Sequence, residues 1–499
     1  MASSRRSTPS GRRGSPAAPA LLAVLLLGAA AGPSRHERAL AQDLDRIFGA
    51  PVMAQGLWGV EVASLDSGRV LYARNPRTLM MPASNMKILT LAAAAETLGW
   101  DYRFRTTLEA AAPIVDGTLQ GDLFVRGNGD PTINSRDNRA ATLFDQWAAA
   151  LRGQGITRIA GGVVADAGAF DAVPFGQGWA WDYLDADYAA PIGALEYNED
   201  VATLTIRPGA KPGDAAALEL APGAGLTLLH HVDTGEAGSR TAISLDRRVD
   251  GAALDVRGSI AVDGAPVTRA VAVVNPAHYF AHSLLLALTA RGIAVDGLPA
   301  DLAERSPELH PEPRRVLVES LSPPLRDIAT VMMKVSQNLY AETLLKTMGA
   351  VKTGTGSTEA GRHAVADVLS SWGIAPGGYV QVDGSGLSRY DYVSADMIVT
   401  LLEHLYRDPK HKEAFVATLP IAGRDGTIAS RFKHTRAEAN ATAKTGSISN
   451  VRSLSGYVRT RDGETLAFSI LANSIAIPAA TANYIADVAV ERLADYSAR

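Results

Sequence analysis

The stretch S-N-M-K-I-L-T-L-A-A-A-A-E-T-L, residues 84–98, decides the fold prediction. Apolar residues at nearly every position predict a helix that is buried on all sides, and Gly99 ends the pattern. Ser84 and Lys87 are three residues apart, so one face of this helix presents both side chains. A hydroxyl needs a base within hydrogen-bond reach to act as a nucleophile, and a lysine can be that base when burial lowers its pKa from about 10.4 toward 7–8. Ser84 is therefore the candidate nucleophile and Lys87 the candidate base.

A second polar motif, Ser336-Gln337-Asn338, lies between helical patterns much later in the chain. The Ser336 hydroxyl is suited to pass a proton between Lys87 and a leaving amine. Asn338 offers both a donor and an acceptor to a substrate amide. The motif is weak alone, because the same residues commonly cap a helix or form a loop. We take Ser336 and Asn338 as further candidate catalytic residues.

The third motif, Lys444-Thr445-Gly446-Ser447, comes just before a strand pattern. Gly446 lets a substrate backbone lie close against that strand. Lys444 and Thr445 are suited to hold a terminal carboxylate. The N–H of Ser447 joins that of Ser84 in a predicted oxyanion hole, where each donor lowers a barrier by roughly 3–4 kcal/mol.

The tripeptide K-T-G also occurs at Lys352-Thr353-Gly354. This copy lies in a glycine-rich stretch, 349–357, with a helical pattern on either side and no strand pattern. We expect it to form a loop outside the active site.

In this order the three motifs resemble those of the class C low-molecular-mass penicillin-binding proteins, the D-alanyl-D-alanine carboxypeptidase/endopeptidase family. D-G-S-G-L-S-R at 383–389 matches a signature of that family, and G-N-G-D-P at 127–131 resembles another of its elements. The distance between Ser84 and Ser336 leaves room for the large insert typical of the family. The resemblance spans about residues 45 to 490.

The resemblance implies an α+β fold: a penicillin-binding/serine β-lactamase-like transpeptidase domain, with an antiparallel sheet, flanking helices and a large β-rich insert. Short alternating runs and Pro-Gly turns occupy the middle of the chain. Helical patterns and two terminal strand patterns follow them. We therefore expect the following division: signal peptide 1–41, catalytic domain 42–105 and 272–499, and insert 106–271.

The function implied by the resemblance is that of a serine D-alanyl-D-alanine carboxypeptidase with D,D-endopeptidase activity. The substrates are peptidoglycan stem peptides, β-lactams are inhibitors, and neither a metal nor an organic cofactor is needed. The resemblance also places Arg389 near the side chain of the substrate, and we expect Asp182 on the opposite rim.

Two other readings remain open. A β-lactamase or esterase on a related fold shares the acylation groups but needs fast deacylation; class A enzymes use E-x-x-L-N for that step, which Glu196-Tyr197-Asn198 does not match. A non-catalytic penicillin-binding scaffold would be favoured by loss of a motif residue, and all are present. His278 and His282 share a helix face without a carboxylate partner, so a metal site there is disfavoured.

Composition excludes several other classes of protein. The 48 basic and 52 acidic side chains give a net charge of -4, which argues against nucleic-acid binding. The chain has no Cys, so disulfides, thiol nucleophiles and cysteine-based metal sites are excluded. Neither composition nor motifs predict an oligomeric state.

The N-terminal residues predict export. Arginines precede an apolar run at 20–31, which as a helix covers about 18 Å, too short for a bilayer core of about 30 Å. Ala39-Leu40-Ala41 then provides an A-x-A site. We expect a secretory signal peptide cut after Ala41 and a periplasmic protein, the alternative being an uncleaved anchor.

Overall fold

The structure is a computed structural model that describes residues 32–249, 251–306 and 313–499. The apolar run of the expected signal peptide lies outside these residues. Across the described ranges the α-helices are α1 (Arg35–Phe48), α2 (Met86–Leu98), α3 (Arg139–Gly153), α4 (Pro276–Ala290), α5 (Leu325–Lys334), α6 (Asn338–Thr353), α7 (Thr358–Ser371), α8 (Ala395–Arg407), α9 (Lys412–Thr418) and α10 (Ala479–Ala494). Among them, none has both the length and the apolar character needed to cross a membrane.

The strands of the same ranges are β1 (Leu57–Ser64), β2 (Val70–Arg74), β3 (Arg105–Ala110), β4 (Ile114–Val115), β5 (Thr118–Leu119), β6 (Leu123–Gly127), β7 (Arg158–Ile159), β8 (Val163–Asp166), β9 (Val201–Arg207), β10 (Ala217–Leu220), β11 (Thr227–Gly235), β12 (Ala242–Arg247), β13 (Ala253–Ala261), β14 (Val267–Ala272), β15 (Ala294–Val295), β16 (Ala300–Asp301), β17 (Arg315–Leu321), β18 (Tyr379–Val380), β19 (Tyr392–Val393), β20 (Thr442–Ile448), β21 (Val451–Arg459) and β22 (Thr465–Asn473).

The catalytic domain is built on an antiparallel sheet in the order β2-β1-β22-β21-β20. Every residue of β22 is buried, because helices cover both faces of the sheet. Alternate side chains of this strand enter opposite cores: Phe468 and Ile470 face α1 and α10, whereas Ala467 and Leu471 face α2 and α5–α8. The expected sheet with flanking helices is confirmed, and β20 forms one of its edges.

Helix α2 lies in the second of these cores. Ten consecutive residues from Met86 to Ala95 are buried, as the all-round apolar pattern predicts. A 3-10 turn, Ala83–Asn85, precedes the helix and carries Ser84. The turn packs against β20 and β21, so the start of α2 is fixed at the open edge of the sheet.

The middle of the chain forms separate sheets that carry two helices. One sheet has the order β16-β8-β6-β3-β17, and α3 and α4 share an apolar core with it. Two three-stranded sheets, β10-β9-β14 and β11-β13-β12, enclose a smaller core.

The end of the insert differs from the expected residue 271. Strand β17 returns to pair with β3, and α4 packs against α3 and β8 rather than in the catalytic domain. We propose that the insert extends to 321. A composition shift cannot reveal this boundary, because β17 pairs with a strand about two hundred residues earlier in the chain.

The N-terminal helix α1 is part of the catalytic domain. Ser34 caps it, with Glu37 completing a capping box, and Leu40 and Leu44 are fully buried against the sheet. The expected cleavage point after Ala41 falls inside this helix. A chain beginning at Gln42 would lack the cap and the first turns of α1.

Candidate active site

Ser84 and Lys87 lie together, as their spacing predicts. Ser84 is in the 3-10 turn and Lys87 in the first turn of α2, and Lys87 Nζ is 2.9 Å from Ser84 Oγ. The Lys87 side chain is fully buried, whereas Ser84 lines an open cleft. The amine is therefore shielded from water except on the side where the hydroxyl stands.

The other contacts of Lys87 are compatible with a neutral amine. Nζ donates to Asn338 Oδ1 at 2.6 Å and to the backbone carbonyl of Ser385 at 2.9 Å. Both partners accept only, so they take the two N–H bonds of a neutral amine. The remaining lone pair then faces the hydroxyl of Ser84, which is the geometry that a general base requires.

Burial also favours the neutral amine of Lys87. Burial lowers the pKa of Lys87 from 10.5 to about 7, and three buried carboxyl groups oppose that fall. They belong to Asp383, Glu342 and Asp391. A pKa near 7 leaves a large fraction of the amine neutral at neutral pH.

The second motif forms the turn into α6. Ser336 has φ 64°, a left-handed conformation that is rare for a residue with a side chain. Its hydroxyl accepts a hydrogen bond from Lys444 Nζ at 2.8 Å. Asn338, the first residue of α6, donates from Nδ2 to the carbonyl of Tyr188 at 2.7 Å. The structure thus joins Ser336 to Lys444, and the expected transfer of a proton between Lys87 and a leaving amine by way of Ser336 stays a prediction.

Lys444 is buried on the edge strand β20. Besides Ser336, its amine contacts the carbonyl of Thr445 at 2.8 Å. Burial, together with the nearby charge of Lys87, holds the pKa of Lys444 well below its usual value. Asn85 donates to the Lys444 carbonyl at 3.0 Å, which joins β20 to the Ser84 turn.

Gly446 lies where β20 meets that turn. A Cβ at this position would be 2.6 Å from the carbonyl oxygen of Pro82 and 3.0 Å from the Ser84 nitrogen. It would also be 2.1 Å from Ser453 Oγ. Gly446 therefore permits close approach of β20 to the turn Ala83–Asn85, the nucleophile turn. The expected approach of a substrate backbone to Gly446 stays a prediction.

A cleft of about 450 Å³ opens in front of these groups. Its lining includes predicted residues of all three motifs: Ser84, Ser336, Asn338, Thr445 and Ser447. The others that line it were not named as site residues: Tyr183, Tyr188, Gly386, Leu387, Thr427, Ile448, Ser449 and Arg452. Thr445 donates to Thr427 at 2.7 Å between their hydroxyl oxygens, so two hydroxyl groups meet in this wall.

Arg389 and Asp182 lie beside the cleft. Arg389 Nη2 is 3.3 Å from the carbonyl of Ser449 and 3.4 Å from the Tyr183 hydroxyl, and both of these residues line the cleft. Asp182 is exposed on the 3-10 turn Trp181–Tyr183, one residue before Tyr183. Asp182 is thus next in the chain to Tyr183, which lines the cleft and contacts Arg389, and its expected place on the opposite rim stays a prediction.

The second K-T-G copy is remote from this site. Lys352 and Thr353 form the last turn of α6, with Gly354 as its left-handed cap, where the sequence predicted a loop. Lys352 is exposed and forms an ion pair with Asp367 of α7. The helix continues into the glycine-rich stretch and ends at Gly354, because a glycine readily adopts the left-handed conformation that terminates a helix.

Sequence reasoning missed the buried acids behind Lys87. Glu342 is on α6, Asp383 is the first residue of the D-G-S-G-L-S-R signature, and Asp391 follows the signature by two residues. Burial and Asp383 raise the pKa of Glu342 to about 8. The i, i+4 spacing of Asn338 and Glu342 is the one signal that could have linked this acid to the site.

A serine beside a buried lysine, at the edge of an antiparallel sheet covered by helices, defines a serine enzyme of the penicillin-binding type. The chain belongs to the D-Ala-D-Ala carboxypeptidase 3 (S13) family, whose model matches residues 40–495. The resemblance inferred from the three motifs is thereby confirmed.

Individual relatives agree with this assignment. The chain is 36% identical to a D-alanyl-D-alanine carboxypeptidase of Actinomadura sp. (strain R39), over 96% of this chain and 89% of the relative. The crystal structure of penicillin binding protein 4 from Haemophilus influenzae matches with a TM-score of 0.77 at 26% identity, covering 91% of this chain and 97% of the other. A complex of that protein with a β-lactam matches with a TM-score of 0.71 at 25% identity, with the same coverage.

Proposed function

We propose that this protein is a serine D-alanyl-D-alanine carboxypeptidase that acts on peptidoglycan stem peptides through an acyl-enzyme on Ser84. The observation that carries the proposal is the hydrogen bonding of Lys87. Two obligate acceptors take its N–H groups, and its third contact is the Ser84 hydroxyl. Family membership supplies the substrate class.

In the acylation step, Ser84 Oγ attacks the carbonyl carbon of the penultimate D-alanine and its proton passes to Lys87 Nζ. The oxyanion is held by the backbone N–H groups of Ser84 and Ser447, two residues that line the same cleft. The C–N bond then breaks, and the departing D-alanine amine takes a proton by way of Ser336. Water hydrolyses the resulting ester and frees Ser84.

The wall formed by β20 binds the terminal carboxylate of the substrate. The hydroxyl groups of Thr445 and Thr427 face each other there, and Ser336 lies beside them in the cleft. Lys444 is buried behind Ser336, so it acts on the carboxylate by way of that hydroxyl.

The rim beyond the cleft binds the rest of the stem peptide. Arg389 and Asp182 offer charges of opposite sign on neighbouring segments, which suits a side chain bearing both an amine and a carboxylate. Cleavage of a D-Ala–diaminopimelate cross-link is the same acyl transfer with a larger leaving group. We therefore propose D,D-endopeptidase activity alongside carboxypeptidase activity.

β-Lactams should acylate Ser84 and remain attached for long times. Rapid hydrolysis of the penicilloyl ester, as in a β-lactamase, needs a base to activate water. Among the residues that the structure describes, the cleft is lined by no carboxylate, and Glu196 instead accepts a hydrogen bond from Thr343 away from it. This lining favours a penicillin-sensitive peptidase over a β-lactamase.

We further propose export to the periplasm, with removal of the signal peptide ahead of Ser34 rather than after Ala41. The capping box and the buried residues of α1 make this helix part of the catalytic domain. The sequence offers small residues at 29–31 as an earlier A-x-A site.

Purified wild-type protein, Ser84→Ala and Ser370→Ala test the proposal. Ser370 is an exposed serine on α7 and serves as the matched control. Each protein is incubated with fluorescent penicillin and, separately, with muropeptides whose products are weighed by mass spectrometry. Wild type and Ser370→Ala should be labelled and should release D-alanine, while Ser84→Ala should do neither.

Each rival has its own outcome in these assays. Turnover of a chromogenic β-lactam by the wild type at more than about one per second would favour a β-lactamase. Wild-type protein that neither takes up label nor releases D-alanine would favour a non-catalytic scaffold.

A further inference from the structure

The loop 383–388 is wedged between α6 and the nucleophile turn. Gly386 has φ 82°, and a Cβ there would lie 1.8 Å from the carbonyl oxygen of Ala83, so the two backbones touch. Carbonyls of this loop face α2: that of Ser385 accepts from Lys87 at 2.9 Å, and that of Gly384 accepts from Thr90 Oγ1 at 2.7 Å. The loop therefore fixes the helix face that carries the base.

Glu342 holds this loop from behind. It lies on α6 one turn after Asn338, and it is 1% exposed. The N–H of Gly384 donates to both of its carboxylate oxygens, at 3.1 and 3.0 Å, and the N–H of Ser385 donates to Oε1 at 2.8 Å. One turn of α6 thus reaches Lys87 twice, directly through Asn338 and indirectly through Glu342.

We propose that Glu342 is a positioning residue for acylation: its carboxyl oxygens anchor the 384–385 peptide groups so that the Ser385 carbonyl takes one N–H of Lys87 and the lone pair faces Ser84. The proposal rests on the roles proposed above for Ser84 and Lys87.

The anchoring matters because the direction of the lone pair depends on both acceptors. If the Ser385 carbonyl moves away, a free N–H of Lys87 can donate to Ser84 Oγ instead, and the hydroxyl then has no base. A displacement of about 1 Å of a catalytic group can slow a reaction by about 100-fold. Asp383 also anchors this loop, because its Oδ1 accepts hydrogen bonds from the N–H of Ser385 at 3.1 Å and from the N–H of Gly386 at 2.6 Å.

Glu342→Gln is the test, because it keeps the shape of the side chain. The N–H of Gly384 donates to both carboxyl oxygens of Glu342. In the glutamine variant one of these oxygens becomes an NH2 group, so two hydrogen-bond donors face each other. Acylation by a fluorescent penicillin is followed at several concentrations, which separates the dissociation constant K of the first complex from the acylation rate constant k2. Glu342 does not line the cleft, so k2 should fall 10- to 100-fold while K stays within threefold.

Glu196→Gln is the matched control. Glu196 is equally buried and accepts a hydrogen bond from Thr343, the residue after Glu342 on α6, but it has no contact with the loop 383–388. Its k2 should remain at the wild-type value. A wild-type k2 in Glu342→Gln, or an equal loss in Glu196→Gln, would overturn the proposal.

A second variant guards against a folding failure. Glu342→Asp keeps the carboxyl group but is shorter by one methylene, so it should also lower k2 with little change in K. Normal acylation by Glu342→Asp would overturn the proposal if Glu342→Gln does not fold. Failure of the proposed function looks different, since labelling would then persist in Ser84→Ala.

Discussion

Gly446→Ala is the substitution for which the structure gives the sharpest expectation. The added Cβ would stand 2.6 Å from the carbonyl oxygen of Pro82 and 3.0 Å from the nitrogen of Ser84. Ordinary contacts begin near 3.4 Å, so β20 must retreat by about 1 Å from the nucleophile turn. Because β20 is an edge strand, it can move in this way, and Ser447 and Lys444 move with it.

A shift of this size should lower the rate of penicillin acylation by about 100-fold, since it displaces one oxyanion donor relative to the other. Overpacking should also cost about 1–3 kcal/mol of unfolding free energy. Stopped-flow labelling with the penicillin measures the acylation rate, and urea unfolding measures the free energy of unfolding.

Gly153→Ala is the control for this experiment. Gly153 ends α3 in the insert, and a Cβ there would meet no atom within 4 Å. It should leave the acylation rate unchanged. An acylation rate of Gly446→Ala within threefold of the wild-type rate would refute the idea that contact between β20 and the nucleophile turn positions the oxyanion donors.

Three further predictions concern the base, the two K-T-G copies and the N-terminus. Because burial lowers the pKa of Lys87 to about 7, the acylation rate should fall about tenfold per pH unit below pH 7, and a rate independent of pH between 5 and 7 would contradict this. Lys444→Ala should lower the rate of D-alanine release by about 100-fold. Lys352→Ala should change this rate less than twofold, because the exposed ion pair of Lys352 with Asp367 contributes at most about 1 kcal/mol of stability. The reverse order of effects would mean that the wrong tripeptide was chosen. The intact mass of the exported protein should show a first residue at or before Ser34, and a chain starting at Gln42 would show that α1 is dispensable.

Local patterns were enough to predict that Ser84 and Lys87 lie together. Ser84 and Lys87 share a helix face because of their spacing, and the apolar run after them predicts the burial that the amine needs. The three motifs and the antiparallel sheet with flanking helices could also be predicted. These features are encoded within a few neighbouring residues, or in motifs that a family shares.

Features that depend on distant pairing could not be predicted. Nothing near residues 315–321 indicates that this strand closes a sheet with β3. Likewise, Ala39-Leu40-Ala41 reads as a cleavage site until the burial of Leu40 is known. The close approach of β20 to the Ser84 turn is also invisible in the sequence, where Gly446 suggests only the approach of a substrate backbone.

The polar network behind the base escaped prediction for the same reason. Glu342 stands in a largely buried helix and has no motif of its own. Its importance depends on backbone N–H groups of Gly384 and Ser385, and a sequence carries no information about where backbone groups point until the chain is folded.

The central claim is that Ser84 forms the covalent intermediate with the aid of Lys87. Wild-type protein is treated with penicillin, digested and analysed by tandem mass spectrometry to locate the adduct. The account predicts a penicilloyl group on Ser84 in the wild type and none anywhere in Ser84→Ala. An adduct on Ser336 or Ser385, or labelling that survives Ser84→Ala, would contradict it.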